Sequence, residues 1–298
     1  MRSVKLYVPA VLAMAFWATN FVFSIPVIEA LGPVQMTGAR WFISLLLLIP
    51  VALLTEKADW TVTRGELPLH LLQSLIGYSG YTLLLYYALT STSSFSASIV
   101  VALNPALISI GARLFLAEHL PARSVFGIAI SFIGAVVVVL GGGSGGELSF
   151  SIGDVLVILA TIAWTSYVMV SPRVKTPPVT TTAVQSLLAG LTMISFMLID
   201  IAGGNDGWAH LDGNLWLGVL WIGLVPSAGA YFLWNISAKL IGPTRSGAFL
   251  NLIPVFTALL VVFFGGEVTP MQVAGGVVVL VGVSFANARK NNRTKSLT

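Results

Sequence analysis

The chain contains no cysteine, which excludes disulfides, thiolate metal sites and thiol chemistry. It is also poor in charge: Asp, Glu, Lys and Arg make up only 9% of its 298 residues, against roughly 25% in soluble domains. So few charges cannot clothe a soluble core. Histidine is scarce, with three in all. No H-E-x-x-H helix and no phosphate-binding loop with its lysine is present, so neither zinc hydrolysis nor ATP-driven pumping by this chain alone has the residues it needs. The glycine-rich run at 141–146 lacks a lysine and reads as a flexible connector. No cofactor is expected. In place of charge the sequence is 56% hydrophobic, with a mean hydropathy of +0.93.

About 20 apolar residues are needed to cross the hydrocarbon region of a bilayer. Apolar windows fall near 6–25, 34–54, 67–89, 94–116 and 122–141, and then near 151–171, 180–202, 212–236, 244–264 and 270–288. The expected fold is therefore all-α and polytopic, with ten transmembrane helices and no soluble domain. The first window lacks a small-residue cleavage site and reads as retained rather than as a signal peptide. With the N-terminus on the cytoplasmic side, every Lys and Arg except Arg40 falls in a cytoplasmic loop or tail. Glu29, Glu147, Asp154, Asp206, Asp212 and Glu267 fall opposite. That alternation places both termini inside. It also explains a sequence pI of about 9.5 without nucleic acid as a partner. The expected partners are the lipid bilayer and a small-molecule solute, with a monomer as the expected unit.

The chain repeats itself at an offset of half its length. Pro105 aligns with Pro254, Glu118 with Glu267, Pro121 with Pro270 and Gly80 with Gly229. Five spans in each half is an odd number, so the second copy is inverted in the membrane. Inverted repeats are characteristic of secondary transporters, because two equivalent halves can exchange which side opens. Gene duplication also builds channels, but no ring of like charges marks a selectivity filter here.

The run YYALTSTSSFSASIVVALNPALISIGARLFLAEHLPARSVFGIAISFIGAVV in the first half has its counterpart in GPTRSGAFLNLIPVFTALLVVFFGGEVTPMQVAGGVVVLVGV in the second. Both resemble the EamA repeat of the drug/metabolite transporters: a small-residue helix with a central proline, a Gly/Ala-Glu, then a glycine-containing helix. FWATNFVFSIPVIEALGPVQMTGARWFISLLLL resembles that family's first two helices, with Arg40-Trp41 as the arginine-aromatic pair. The resemblance implies two EamA-like units, 1–148 and 149–298. It also implies a central cavity between the first, third and fourth helices of each half, with the fifth and tenth packed peripherally. The aromatic inner helices resemble the YddG-type exporters of aromatic amino acids.

Helical spacing gathers the residues suited to carry a solute. Ala13, Trp17, Asn20 and Ser24 share one face, as do Ser74, Tyr78, Tyr81 and Leu85. Thr161, Trp164, Tyr167 and Ser171 form a third stripe, and Ser227, Tyr231, Trp234 and Asn235 a fourth. Indole and phenol rings offer an apolar face and one hydrogen-bonding edge, which suits a small-molecule site. Trp17, Asn20, Tyr78, Tyr81, Trp164, Tyr167, Tyr231, Trp234 and Asn235 are the candidate substrate residues. Trp60, Trp208 and Trp216, near span ends, read as interfacial anchors.

Asn104 and Asn251 are expected to bond helix to helix, a role open to Asn20 and Asn235 as well. Arg40 is read as structural in preference to a binder of a substrate carboxylate, its long stem reaching the outer interface where Glu29 can pair with it. Pro105 and Pro254 are candidate hinges or static bends. Gly77-Tyr78-Ser79-Gly80 spells the motif of an intramembrane serine protease, but all three histidines lie at or beyond span ends, away from Ser79.

Overall fold

The computed structural model describes residues 6–57, 60–115, 122–140, 151–242 and 246–287. The expected features at Arg2, Lys5, Glu118, His119, Pro121, the 141–146 glycines, Glu147, Arg245 and the basic C-terminal tail lie outside them. Among the described residues there is no strand; the architecture is helical throughout.

Helix α1 (Val8–Thr55) is two arms broken at Gly32, whose φ of 77° and ψ of 159° no other residue adopts cheaply. Pro33 follows and cannot donate back into the first arm. Asn205 fastens the corner by donating to the Leu31 carbonyl at 2.8 Å. After the short α2 (Trp60–Gly65) comes α3, spanning 67–89. Helix α4 covers 94–115 and is interrupted between Ser94–Val101 and Asn104–Phe115. Helices α5 (Ala122–Leu140), α6 (Ile152–Val170) and α7 (Pro178–Ala202) follow. Helix α8 spans 213–241, α9 spans 248–263, and α10 is Pro270–Asn287.

Two helices share an unusual feature. Ser74–Gly80 in α3 and Gly223–Gly229 in α8 are π-helical. Each residue of the second stretch stands 149 positions after its counterpart in the first. A π turn widens the helix and shifts the hydrogen-bond register, and such turns recur at functional sites. Pro105 and Pro254 act alike too. Bonds of 3-10 type from Ala102 to Ile99 and from Leu103 to Val100 precede Pro105. A 3-10 turn, Ala248–Asn251, precedes Pro254. In both places the ring removes a donor and crowds the preceding turn, so the helix breaks just before it.

Five helical segments are long and apolar enough to cross a membrane, and three shorter ones are apolar as well. Helix α7 alone, at 25 residues, is about 37 Å long, enough for a hydrocarbon core of about 30 Å. Its outer face carries Leu191, Phe196, Leu198 and Ile199 in the open, and α1 exposes Leu46, Leu53 and Leu54. Such surfaces are stable against lipid and not against water.

The centre is packed by α1, α3, α6 and α8, with parts of α4, α7 and α9. Helices α5 and α10 pack mainly on each other. A Cβ on Gly134 would stand 2.6 Å from the Val279 nitrogen, and one on Gly282 at 2.6 Å from that of Ser131. The two backbones touch, as small-residue interfaces in membranes allow.

Candidate substrate pathway

The four stripes converge. Trp17 packs edge-on against Trp164 at 5.1 Å and Tyr231 at 5.4 Å, and tilts against Trp234 at 5.7 Å. Tyr78 meets Tyr231 at 4.5 Å and Tyr167 at 5.8 Å, while Tyr81 meets Trp164 at 5.5 Å. All except Tyr81 are buried. These rings close on one another, a layer across the middle of the helices rather than the wall of an open hole. Trp41, not among the expected residues, completes it by packing on Tyr78 at 4.6 Å and Tyr231 at 5.0 Å. Edge-to-face pairs of this kind add about 0.5–1.5 kcal/mol each beyond their buried area.

Backbone close approach makes the layer possible. A Cβ on Gly77 would come 2.5 Å from the Tyr167 ring, so only glycine leaves that ring its seat. Gly77 lies in the π turn of α3, and its carbonyl accepts the Tyr231 hydroxyl at 3.1 Å.

On one side of the layer a cavity of about 270 Å³ opens to the end of the molecule that carries Arg173, Lys175 and Lys239. Its lining includes Gln73, Tyr167, Ser171, Thr176, Thr181, Asn235 and Lys239, and no acid. Asn235 accepts from the Tyr167 hydroxyl at 3.1 Å and donates to Thr182 at 2.8 Å. It thus fixes the floor where cavity meets rings. Gln73 donates to Ser171 at 3.0 Å and accepts from Gln185 at 2.7 Å, and Gln185 also reaches the buried His70 at 3.4 Å. Lys239 donates to the Thr176 carbonyl at 3.0 Å. A second void, lined by Trp17, Tyr81, Asn104, Trp164 and Ile253 among others, measures only about 10 Å³, room for about one water.

Two glutamates brace the rim. Glu56 accepts from the Val179 and Thr180 nitrogens and from the Thr180 hydroxyl, capping α7. Glu66, just before α3, accepts from the nitrogens of Lys175 and Thr176 at 2.8 and 3.0 Å and from the Thr176 hydroxyl at 2.7 Å. Partial burial pushes its pKa up, but these hydrogen bonds and the neighbouring His70 outweigh it and hold the carboxyl below its usual 4.5.

Arg40 does not reach the interface. Only 2% of it is exposed, and it turns inward. Its Nε donates to Ser227 at 2.7 Å, and its Nη1 donates to Tyr86 at 2.7 Å and to Asn20 at 3.2 Å. Tyr86 in turn donates to Asn20 at 2.9 Å. The guanidinium also lies over Trp41 at 4.9 Å. Glu29, the expected partner, is exposed to the outside. The interior offers an arginine three oxygen acceptors and an aromatic face, which the stem reaches without the entropy of a surface pair.

Asn20 therefore belongs to the arginine's circle and Asn235 to the cavity floor. Asn104 accepts from Thr165 at 3.1 Å, a helix-to-helix bond as expected. Ser79 hydrogen-bonds the Ala189 carbonyl and the Thr192 hydroxyl, tying α3 to α7. Tyr86, Gln73, Gln185 and Thr182 were not marked by the sequence, and Trp41 only as the aromatic that follows Arg40. Trp208 donates to Gln35 at 3.0 Å and packs on the exposed Trp216 near the Gly32 corner, as suits interfacial anchors.

The profile of the EamA-like transporter family matches residues 5–140 and again 151–288. Among similar proteins, YyaM of Bacillus subtilis (strain 168), named an uncharacterized transporter, is 24% identical over 96% of this chain and 95% of its own length. A protein of Streptantibioticus cattleyicolor named as a probable terminal-alkyne amino-acid exporter is 24% identical over 96% of this chain and 94% of that one. One of Salmonella typhimurium (strain LT2) named as a probable amino-acid metabolite efflux pump is 25% identical over 92% of each. A solved crystal structure superposes with a TM-score of 0.68 at 22% identity, covering 95% of this chain and 96% of that one, and shares the fold. The chain belongs to the EamA-like transporter family and is a multi-pass membrane transporter.

Proposed function

We propose that this transporter carries small metabolites, amino acids including aromatic ones foremost, out of the cell by alternating access. Its ten spans form two inverted units, 1–148 and 149–298, in a bacterial inner membrane with both termini cytoplasmic. The matched π turns in α3 and α8 and the matched breaks before Pro105 and Pro254 support the repeat. The names of two relatives, an amino-acid exporter and an amino-acid metabolite efflux pump, support the solute class.

One observation carries the reading. A cavity of about 270 Å³ opens at one end and stops at Tyr167, whose ring packs on Tyr78 from the first half and on Trp164 from the second. A carrier needs such asymmetry, since only one gate opens at a time. In this cycle the solute enters past Lys239 and Asn235 and lodges among Trp17, Asn20, Tyr78, Tyr81, Trp164, Tyr167, Tyr231 and Trp234. Release on the far side follows when the helices broken before Pro105 and Pro254 reorient, the prolines acting as hinges.

The test is counterflow in proteoliposomes with a panel of amino acids, nucleosides and sugars. Labelled amino acid accumulating only against the same unlabelled solute trapped inside is the expected result. Uptake indifferent to trapped solute would make the protein a channel, and stimulation only by nucleosides or sugars would overturn the solute class.

A further inference from the structure

Arg40 is costly where it stands. A cation at membrane depth normally finds an acid, but none among the described residues pairs with this one. The ion pairs among the described residues are His70 with Glu66 and His210 with Asp206. The other described carboxylates are committed or exposed: Glu56 caps α7, Asp154 bonds Ser151 and Thr92, Asp200 bonds Gln35 and Asn205, Asp212 caps α8, and Glu29 and Glu267 face outward. A neutral side chain could tie helices together more cheaply than a buried charge.

The arginine's donors are also incompletely used. Three hydrogen bonds occupy Nε and Nη1, and Nη2 makes none with the described residues. The Trp41 indole nitrogen beside it is buried without an acceptor. So is that of Trp164, which joins Trp41 through Tyr231. Arginine and indole nitrogens can only donate. Several buried donors without an acceptor imply that an acceptor-rich anion belongs among them.

Resting on the function proposed above, we propose that Arg40 is the anchor for the solute's carboxylate, so that the carrier selects small carboxylates and holds an amino acid by its acid group. The free Nη2, with its two N–H groups, can donate to a carboxylate, and such charge-assisted bonds are stronger than neutral ones. Among the described residues no acid joins the Arg40 cluster to take the ammonium of an amino acid. The faces of Tyr231 and Trp17 take that role through cation–π attraction. Arg40 lies behind the aromatic layer, so the anchor engages as the layer parts around the solute, and Lys239 in the cavity lining offers the entering carboxylate a first positive charge.

The deciding experiment is counterflow of labelled L-phenylalanine in proteoliposomes of the full chain, with four competitors: L-phenylalanine, 3-phenylpropionate, L-phenylalaninamide and phenethylamine. The two acids are expected to compete about 10- to 100-fold better than the amide and the amine. Arg40→Lys keeps that order with weaker binding, and Arg40→Gln removes it. If Arg40→Gln does not fold, the wild-type acid-to-amide ratio still decides. Equal competition by acid and amide, or a wild-type ratio in Arg40→Gln, overturns the anchor while leaving the carrier standing. Absence of any phenylalanine counterflow defeats the amino-acid function and the anchor with it.

Discussion

The hydroxyl of Tyr231 donates to the backbone carbonyl of Gly77 at 3.1 Å, joining α8 to the π turn of α3. A backbone carbonyl has two lone pairs, so Gly77 accepts from the neighbour's hydroxyl beside any bond within its own turn. The same glycine gives Tyr167 its seat. Gly77→Ala is therefore expected to overpack the layer and destabilise the protein by about 1–3 kcal/mol. Tyr231→Phe removes only the hydrogen bond and should cost about 1 kcal/mol. Thermal unfolding in detergent, read by tryptophan fluorescence, would rank the two, and an unchanged melting temperature in Gly77→Ala would refute the contact.

Trp17 touches three rings of the layer, so its loss opens the centre. Trp17→Ala and Tyr78→Ala should each lower the transport rate at least about tenfold, because the solute loses its apolar wall. Initial rates at matched reconstitution levels measure this. Unaltered transport in both variants would remove the aromatic layer from the pathway.

Asn235 sits between Tyr167 and Thr182 at the floor of the cavity. Asn235→Leu keeps the volume and deletes both hydrogen bonds, leaving the Tyr167 hydroxyl unpaired. Apparent KM for entry from the cavity side should rise about five- to tenfold, with less effect from the opposite face. Comparing uptake into right-side-out and inside-out vesicles would show the asymmetry.

Glu66 titrates below its usual 4.5 because three donors from the 175–176 segment favour the carboxylate. A depressed folded-state pKa contributes stability above the unfolded value, and this is lost as pH falls through the folded one. Glu66→Gln should thus lower the melting temperature by a few degrees at pH 7, equivalent to about 1 kcal/mol, with the gap to wild type narrowing below pH 4.5. A constant gap from pH 7 down to pH 3.5 would contradict the assignment.

With no native cysteine, single thiols can report sidedness directly. Lys175→Cys and Ala209→Cys sit in exposed turns at the two ends of α7. An impermeant maleimide added to intact cells should label Ala209→Cys and spare Lys175→Cys. Labelling of both from one side would break the proposed topology.

Much of the layer was legible because rings recur at helical spacing. Tyr78 with Tyr81 and Tyr231 with Trp234 each share a face, and the structure brings their rings and that of Trp17 to one place, while Asn20 goes to Arg40 instead. Arg40 was misjudged because a long stem near a span end is free to turn outward, and sequence does not say which way it bends. Only packing puts Tyr86, Ser227 and Asn20 around it. The π turns left no mark, since hydrogen-bond register is independent of side-chain period. Gln73 and Gln185 carry no signal in the sequence and His70 reads only as a residue at a span end, and their network forms only when α3 and α7 meet.

The backbone-to-backbone seam between α5 and α10, at Gly134 and Gly282, stands outside the aromatic centre. Each half contributes its final helix to that seam. In the cycle proposed above, the seam is the spindle about which the inner helices tilt while the two halves stay coupled. A methyl group inserted at either glycine would wedge the spindle apart without touching a single residue that meets the cargo.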